Sequence, residues 1–241
     1  MKLKVVTWNI HKGVGGVDRR YRPERIVELL RAEAPDVALL QEVAADMPRV
    51  RFHDQLSMLM EELDMRHAAY SPQHRFSMGG YGNAIVSRWP LSDIHHVDLT
   101  IGRRKKRGVL QARVRVRHER HARSVVLHCL HLGLAGSERV LQLRRFLATE
   151  PFGRLHHRTP IVLGGDLNDV WGTLGPLLLE PAGFRRAGQR VNTFPAALPL
   201  RPLDSIFLRG DVHVRHSGPC RGRLARAASD HLPLVAELSL G

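Results

Sequence analysis

The stretch Ile161-Val162-Leu163-Gly164-Gly165-Asp166-Leu167-Asn168 decides the fold, because an apolar run ends in a carboxylate and a carboxamide. Its apolar part is typical of a strand buried on both faces. Residues two apart in an extended chain point to the same side, so Asp166 and Asn168 emerge together. Oxygen ligands of this kind suit hard cations such as Mg²⁺. The stretch therefore predicts a metal and phosphate site where a buried strand stops.

Two other apolar runs end in the same way. Trp8-Asn9 follows the run that begins at Leu3, and Gln41-Glu42 follows the run over residues 36–40. Open α/β sheets bind their ligands at the ends of strands. We therefore expect the polar groups at these three strand ends to share one site.

The remaining periodicity predicts about ten strands and four helices. Helices are expected over 23–34, over 53–65, and from a capping Ser137 to about residue 149. Strands over 94–99 and 109–117 flank a basic turn and indicate an antiparallel hairpin. Antiparallel pairs favour an α/β architecture with mixed sheets over a purely parallel one. No linker or low-complexity stretch divides the chain, so a single domain over residues 1–241 is expected.

The chain is strongly basic, with 37 Lys and Arg against 23 Asp and Glu and a net charge of +14. Such a surplus attracts polyanions, which are nucleic acids or anionic lipid surfaces. Cys129 and Cys220 give no disulfide framework. The sequence contains neither a signal-like apolar stretch at its start nor a run of roughly 18 apolar residues. We therefore expect a cytoplasmic protein without a transmembrane segment.

Seven short motifs follow one another along the chain in a defined order. They are Thr7-Trp8-Asn9-Ile10, Gln41-Glu42-Val43, Gly82-Asn83-Ala84-Ile85-Val86-Ser87-Arg88, His131-Leu132-Gly133, Gly164-Gly165-Asp166-Leu167-Asn168, Leu203-Asp204-Ser205-Ile206-Phe207 and Ser229-Asp230-His231. This ordered set closely resembles the endonuclease/exonuclease/phosphatase superfamily over residues 4–238. The resemblance implies a four-layered α/β sandwich, in which two mixed β-sheets pack face to face with helices outside. It also implies cleavage of phosphate esters with Mg²⁺ or Mn²⁺.

The resemblance assigns a metal-binding role to three residues. Glu42 is the principal ligand, Asn9 lies beside it, and Asp230 approaches the same metal site. A divalent ion at this place stabilises the negative charge that phosphodiester attack creates.

Five further residues are implied to act on the water and the phosphate. Asp166 and Asn168 orient the attacking water and stabilise the developing charge, and His231 contacts the scissile phosphate. Asp204 orients His231, while His131 is a candidate general acid for the leaving oxygen. Histidine suits proton transfer because its ordinary pKa is about 6.5. The general base stays open between the pair of Asp204 with His231 and Asp166 alone.

The motifs restrict the class of substrate in part. Val43 stands where abasic-site endonucleases typically carry threonine, and His131-Leu132-Gly133 stands where they carry a segment with tyrosine, which disfavours repair of abasic sites. The Trp8-Asn9 and His131-Leu132 patterns are more similar to the branch with DNase-I-like nucleases, tyrosyl-DNA phosphodiesterases, sphingomyelinases and uncharacterised bacterial members. We expect a DNA nuclease with little sequence specificity. A phospholipid or inositol-phosphate phosphoesterase and a catalytically dead nucleic-acid-binding module remain alternatives. Cleavage of RNA, the endo or exo mode and the oligomeric state stay open.

Two basic clusters are candidates for substrate binding. They are Arg103, Arg104, Lys105, Lys106 and Arg107 in the hairpin turn, and Arg221 and Arg223 just before Ser229-Asp230-His231. Clusters of this kind can bind the phosphate backbone of nucleic acids. The alternative is a charged turn that is only solvated, which is common. Aromatic residues make up 5% of the chain, which does not favour a stacking platform for single strands.

Overall fold

Twelve strands form two mixed sheets of six in the computed structural model, which describes residues 1–119 and 121–241. The strands are β1 (Lys2–Asn9), β2 (Val37–Ala45), β3 (His67–Arg75), β4 (Gly80–Ser87), β5 (Leu91–Asp98), β6 (Gly108–His118), β7 (His121–His131), β8 (Ile161–Asp166), β9 (Arg185–Arg186), β10 (Asp204–Arg209), β11 (Val212–Pro219) and β12 (Leu234–Leu240). The first sheet has the order β11-β12-β1-β2-β4-β3 and the second β5-β6-β7-β8-β10-β9. Each sheet contains one parallel pair among those described, β1 with β2 and β7 with β8.

Helices cover the outer faces of both sheets. They are α1 (Glu24–Glu33), α2 (Gln55–Glu62), α3 (Gly136–Leu147), α4 (Glu150–Gly153) and α5 (Arg223–Ala228). Helix α1 connects the parallel strands β1 and β2, and helices α3 and α4 connect β7 and β8. Across residues 1–119 and 121–241, none of the helices has the length and apolar character needed to cross a bilayer.

The strand pleat distributes one apolar run between two cores. In β1, Leu3 and Val5 face the core between the sheets, whereas Val6 and Trp8 face the core beneath α1 and α2. A third core lies beneath α3 and α4 on the second sheet. Alternate residues of a strand point to opposite faces, so a strand buried on both sides needs a continuous apolar run. The predicted four-layered sandwich of two mixed sheets is confirmed.

Several local predictions were wrong. Helix α3 begins at Gly136 after Ala135, so Ser137 lies within the first turn and does not cap the helix. Helix α2 begins after Asp54, whose carboxylate accepts hydrogen bonds from the backbone of the first turn. Strand β3 was missed because Pro72 and several polar residues interrupt its apolar pattern. Strand pairing compensates for that weak pattern, since β3 pairs along its length with β4.

A buried histidine, His128, should make the stability of the fold depend on pH. His128 Nε2 lies 2.9 Å from Gln111 Oε1, and the His128 ring packs edge-on against Phe146 at 4.9 Å. Burial lowers the pKa of His128 to about 3, with a smaller contribution from the positive charge of Arg209. The folded protein therefore holds a neutral imidazole at pH values where the unfolded chain is already protonated.

We expect His128→Met to weaken the loss of stability in acid. As the pH falls from 6.5 toward the folded-state pKa of about 3, protonation of His128 in the unfolded chain lowers the free energy of unfolding by up to about 1.4 kcal/mol for each pH unit. Above pH 6.5 this contribution to the pH dependence vanishes. Urea unfolding of both proteins at several pH values from 7.5 to 4.5 measures the difference in slope. Equal slopes for the two proteins would contradict this assignment.

Candidate active site

One row of paired residues crosses the second sheet at its edge. Gly108 of β6 pairs with His131 of β7, which pairs with Asp166 of β8, which pairs with Asp204 of β10. Directly paired residues of neighbouring strands place their side chains on the same face. The register of this sheet therefore brings three predicted catalytic residues side by side.

The first sheet supplies Asn9 and Glu42 from the parallel ends of β1 and β2. Asn9 pairs with Gln41, and the register of β2 against β4 shifts between Leu40 and Val43. Within this bulge Glu42 has a φ of 56°, a left-handed conformation that is strained for a residue other than glycine. Gln41 consequently points into the core, while Glu42 faces a cleft. Strain of this kind is found at functional sites, where the surrounding structure maintains it.

The two strand edges meet at a cleft of about 330 Å³. Every predicted catalytic or metal-binding residue except Asp204 lines it: Asn9, Glu42, His131, Asp166, Asn168, Asp230 and His231. Asp204 lies behind His231 and is buried. The structure thus brings together residues that are up to 222 positions apart in the chain, Asn9 and His231 being the extremes.

His231 is held as an imidazolium by two carboxylates. Its Nδ1 lies 2.8 Å from Asp204 Oδ2, which also accepts a hydrogen bond from Thr193 Oγ1 at 2.5 Å. Its Nε2 lies 3.7 Å from Asp166 Oδ2. Burial by itself lowers the pKa of His231, but the charges of Asp204 and Asp166 outweigh burial and raise that pKa to about 10. His231 can therefore donate a hydrogen bond into the cleft near neutral pH.

Asp166 is the central acid of the cleft. It accepts hydrogen bonds from Asn9 Nδ2 at 3.1 Å and from the backbone amide of Asn168 at 3.0 Å, and His131 Nε2 lies 3.4 Å away. Burial raises the pKa of Asp166 to about 6, although the positive charge of His231 opposes this effect. A carboxylate that titrates near neutral pH is suited to accept a proton from water.

The oxygen donors around Glu42 fit a divalent cation. Glu42 forms an ion pair with Lys12. Burial by itself raises the pKa of Glu42, but the charge and hydrogen bond of Lys12, together with the positive charge of Lys105, outweigh burial and lower that pKa. Asn9 Oδ1 accepts a hydrogen bond from the backbone of His11 at 3.0 Å, and Asp230 Oδ1 lies 3.6 Å from His11 Nδ1. These donors are the carboxylate and amide oxygens that Mg²⁺ and Mn²⁺ prefer.

A second group of potential metal ligands is Asp166, Asp204 and His231. Their ligand atoms lie within 4.8 Å of one another. The proton on His231 Nδ1 already occupies Asp204 Oδ2, and the imidazolium charge disfavours a cation beside it. This group is therefore better suited to hold a proton than to hold a metal ion.

The sequence interpretation missed the cationic turn that follows β1. His11 and Lys12 have φ values of 46° and 59°, and both side chains line the cleft. Consecutive left-handed residues other than glycine are rare, so no local propensity predicts them. Their position directly after Trp8-Asn9 was the available signal. Thr193 and Phe194 were missed too, and the Phe194 ring lies 4.9 Å from the ring of His231.

The predicted basic clusters are divided among different surfaces. Lys105 and Arg107 line the cleft, whereas Arg104 forms an ion pair with Glu138 at 3.2 Å. Arg103 is exposed, and Lys106 borders a separate groove beside Gly108. Arg221 lines a different pocket together with Arg190 and Arg226, and Arg223 begins α5 as an exposed residue.

Comparison with known proteins agrees with this geometry. The model of the Endonuclease/Exonuclease/phosphatase family matches residues 6–231. The uncharacterized protein YbhP of Escherichia coli is 30% identical over 255 residues, which cover 99% of this chain and 96% of YbhP. A crystal structure from Beutenbergia cavernae, described as an endonuclease/exonuclease/phosphatase, superposes with a TM-score of 0.81 at 27% identity, covering 100% of this chain and 72% of that one.

A more distant fold relative is TDP2 of D. rerio, in a humanized form. It superposes with a TM-score of 0.73 at 19% identity and covers 99% of both chains. The family match spans most of the chain and the YbhP match spans nearly all of it. This protein therefore belongs to the endonuclease/exonuclease/phosphatase family of metal-dependent phosphoesterases and is a phosphoester hydrolase.

Proposed function

We propose that this protein is a divalent-cation-dependent phosphodiesterase that cleaves DNA with little sequence specificity. The observation that supports this most strongly is the shared cleft, where the oxygen donors Asn9, Glu42 and Asp230 lie with His231 and Asp166. Phosphodiester hydrolysis needs positive charge on the nonbridging oxygens and a group that accepts a proton from water. Both kinds of group are present in the cleft.

Glu42, Asn9 and Asp230 would hold Mg²⁺ or Mn²⁺. When bound, the ion supplies charge stabilisation to the phosphoryl oxygens and lowers the pKa of bound water. We assign the general base to Asp166, because an imidazolium at His231 has no free site to accept a proton. His231 donates a hydrogen bond to a phosphate oxygen, and Asp204 keeps it charged and oriented.

We also propose roles for His131, as the general acid, and for Asn168, which positions the attacking water. Burial holds the pKa of His131 well below 6.5, so its imidazole is neutral in the free enzyme. A role as general acid requires that the bound phosphate anion first raises that pKa. Asn168 Nδ2 donates to the backbone carbonyl of Leu132 at 2.9 Å, which leaves its side-chain oxygen to position the water.

The charge distribution favours DNA as the polyanion. The net charge is +14, and Lys105 and Arg107 carry positive charge into the cleft. Arg103, Lys106 and Arg221 would extend this field to neighbouring phosphates. Backbone contacts of this kind read no base sequence, which is why we propose little sequence specificity. A cytoplasmic location, expected from the sequence, stays a prediction.

One observation favours the lipid alternative. Leu134 lines the cleft and is 75% exposed, while Leu198 and Leu200 are 66% and 65% exposed. The latter two lie on the loop between Phe194 and Arg201, which also line the cleft. Exposed leucines beside basic residues suit the interface of an anionic membrane. A phospholipid or inositol phosphate is therefore the second candidate substrate.

A turnover panel tests the proposal. Plasmid DNA, RNA, anionic phospholipid vesicles and inositol phosphates are each incubated with Mg²⁺, with Mn²⁺ and with EDTA. We expect nicking and degradation of plasmid DNA with either metal and none with EDTA. Cleavage of plasmid DNA should weaken as the salt concentration rises, because bound phosphates release counterions. A His231→Ala preparation purified in parallel controls for contaminating nucleases. Intact plasmid with turnover of a lipid or inositol phosphate would replace DNA as the substrate, and activity in EDTA would refute the metal requirement.

A further inference from the structure

Lys12 places a positive charge on the carboxylate that we assign as the principal metal ligand. Its ammonium group forms an ion pair with Glu42 Oε2, and the two side chains are only 11% and 12% exposed. Among the described residues, Glu42 is the one carboxylate with which Lys12 forms an ion pair. Because both groups lie largely out of solvent, water and salt screen this pair weakly. The pair is therefore a strong interaction at a carboxylate that a divalent ion would need.

The backbone on either side of this ion pair is held in place by one buried side chain. Gln55 Nε2 donates a hydrogen bond to the carbonyl of Lys12 at 2.7 Å, and Gln55 Oε1 accepts one from the amide of Ala44 at 2.8 Å. Lys12 and Glu42 have φ values of 59° and 56°, which are strained for residues other than glycine. Strained residues persist where the surrounding structure maintains them. The fold itself therefore fixes the backbone positions from which the two side chains meet.

The ring of Tyr81 gives the Lys12 ammonium a second partner. Lys12 Nζ lies 4.6 Å from the centre of this ring, and Lys105 Nζ lies 5.6 Å from it. An ammonium over the face of an aromatic ring is attracted by the ring electrons. Lysine also has a flexible four-carbon stem, so its charged end can move while the backbone stays fixed. An ammonium that leaves Glu42 can therefore keep a favourable contact on the same wall of the cleft.

We propose that Lys12 competes with the divalent cation for Glu42, and that this competition sets the cation affinity of the site. The inference rests on the proposed function, because it concerns the metal site assigned there. An ammonium carries one charge, whereas Mg²⁺ or Mn²⁺ carries two and would also bind the oxygens of Asn9 and Asp230. The ammonium therefore leaves Glu42 when the ion binds. The ion pair that must break and the repulsion between like charges both lower the net affinity for the ion.

The affinity for Mn²⁺ tests this competition without turnover. Free Mn²⁺ is measured by electron paramagnetic resonance during titration of the protein, and the rise of the unfolding midpoint with Mn²⁺ is a second readout. We expect Lys12→Met to bind Mn²⁺ at least about tenfold more tightly than the unmodified protein, because the competing charge is removed. In EDTA, Lys12→Met should unfold at a lower temperature, since Glu42 keeps a buried charge without its partner. Mn²⁺ should then raise its midpoint further than that of the unmodified protein.

Lys105→Met is the matched control. Lys105 lines the same cleft and lies near the same ring, but among the described residues it forms no ion pair with Glu42. Its replacement removes the same formal charge without freeing the carboxylate, so Mn²⁺ binding should tighten by about threefold or less. Lys2 is exposed at the opposite end of β1, and Lys2→Met should leave the affinity unchanged.

Unchanged or weaker Mn²⁺ affinity in Lys12→Met would overturn the proposal, and so would equal gains in Lys12→Met and Lys105→Met. If Lys12→Met does not fold, Lys12→Gln answers the same question, because glutamine keeps a hydrogen-bond donor for Glu42 but lacks the charge. Lys12→Gln should also bind Mn²⁺ more tightly, and unchanged affinity would overturn the proposal. Saturable Mn²⁺ binding that Glu42→Gln abolishes would uphold the metal site even then, so failure of the competition is distinguishable from failure of the proposed function.

Discussion

Glu42→Gln is expected to abolish high-affinity Mn²⁺ binding and to lower turnover by about a thousandfold. The substitution keeps the shape of the side chain but removes the charge that holds the cation. A bound divalent ion contributes several kcal/mol to the stabilisation of charge in the transition state, and each 1.36 kcal/mol corresponds to a tenfold rate. Electron paramagnetic resonance of free Mn²⁺ measures the affinity, and the substrate from the turnover panel measures the rate.

Glu237→Gln is the control for this experiment, because Glu237 is exposed on β12 and removes the same charge outside the cleft. Its Mn²⁺ affinity and turnover should match those of the unmodified protein. Unfolding curves of Glu42→Gln show whether Lys12, left without its partner, destabilises the fold. Unchanged Mn²⁺ affinity in a folded Glu42→Gln protein would remove Glu42 from the metal site.

Replacement of His231 or its partner Asp204 should have the next largest effect. We expect His231→Ala and Asp204→Asn each to lower turnover by at least about a hundredfold, the usual contribution of a charged hydrogen-bond donor to the developing negative charge. Asparagine at position 204 cannot stabilise the imidazolium that the short contact to Asp204 Oδ2 maintains. Because the two residues act as a unit, the double variant should be little slower than the slower single variant.

Single-turnover kinetics with saturating metal separate this effect from binding. His213→Ala serves as the control, since His213 is exposed on β11. Circular dichroism of each variant verifies the fold. Near-full activity in either single variant would exclude the role assigned to that residue, and additive losses in the double variant would show that the two residues act independently.

Part of the site could be predicted because several of its polar groups directly follow apolar runs. Asp166 and Asn9 stand at strand ends, where the change from apolar to polar residues is visible in the sequence. The mixture of antiparallel and helix-connected strands predicted mixed sheets, which depend on local pattern. The four-layered sandwich was implied by the resemblance of the ordered motifs to the superfamily.

The features that escaped prediction depend on contacts distant in the chain or on strained backbone. The bulge that turns Glu42 toward the cleft is imposed by pairing with β4, not by the residues themselves. Thr193 supports Asp204 from a segment with no strand or helix pattern of its own. Local charge patterning does not reveal that Arg107 is buried in an otherwise exposed basic turn, nor that the carbonyl of the next residue, Gly108, accepts hydrogen bonds from amide groups of β3 and β4.

With the catalytic roles proposed above, the row formed by Gly108, His131, Asp166 and Asp204 would also make enzymatic activity a measure of strand alignment. A slip of one residue in any of these strands would turn its side chain to the opposite face of the sheet. A compact chain with native-like strand content but one misaligned strand would lose a catalytic group without losing its cores. Recovery of enzymatic activity during refolding would therefore report correct alignment, whereas signals from secondary structure alone would also count misaligned chains.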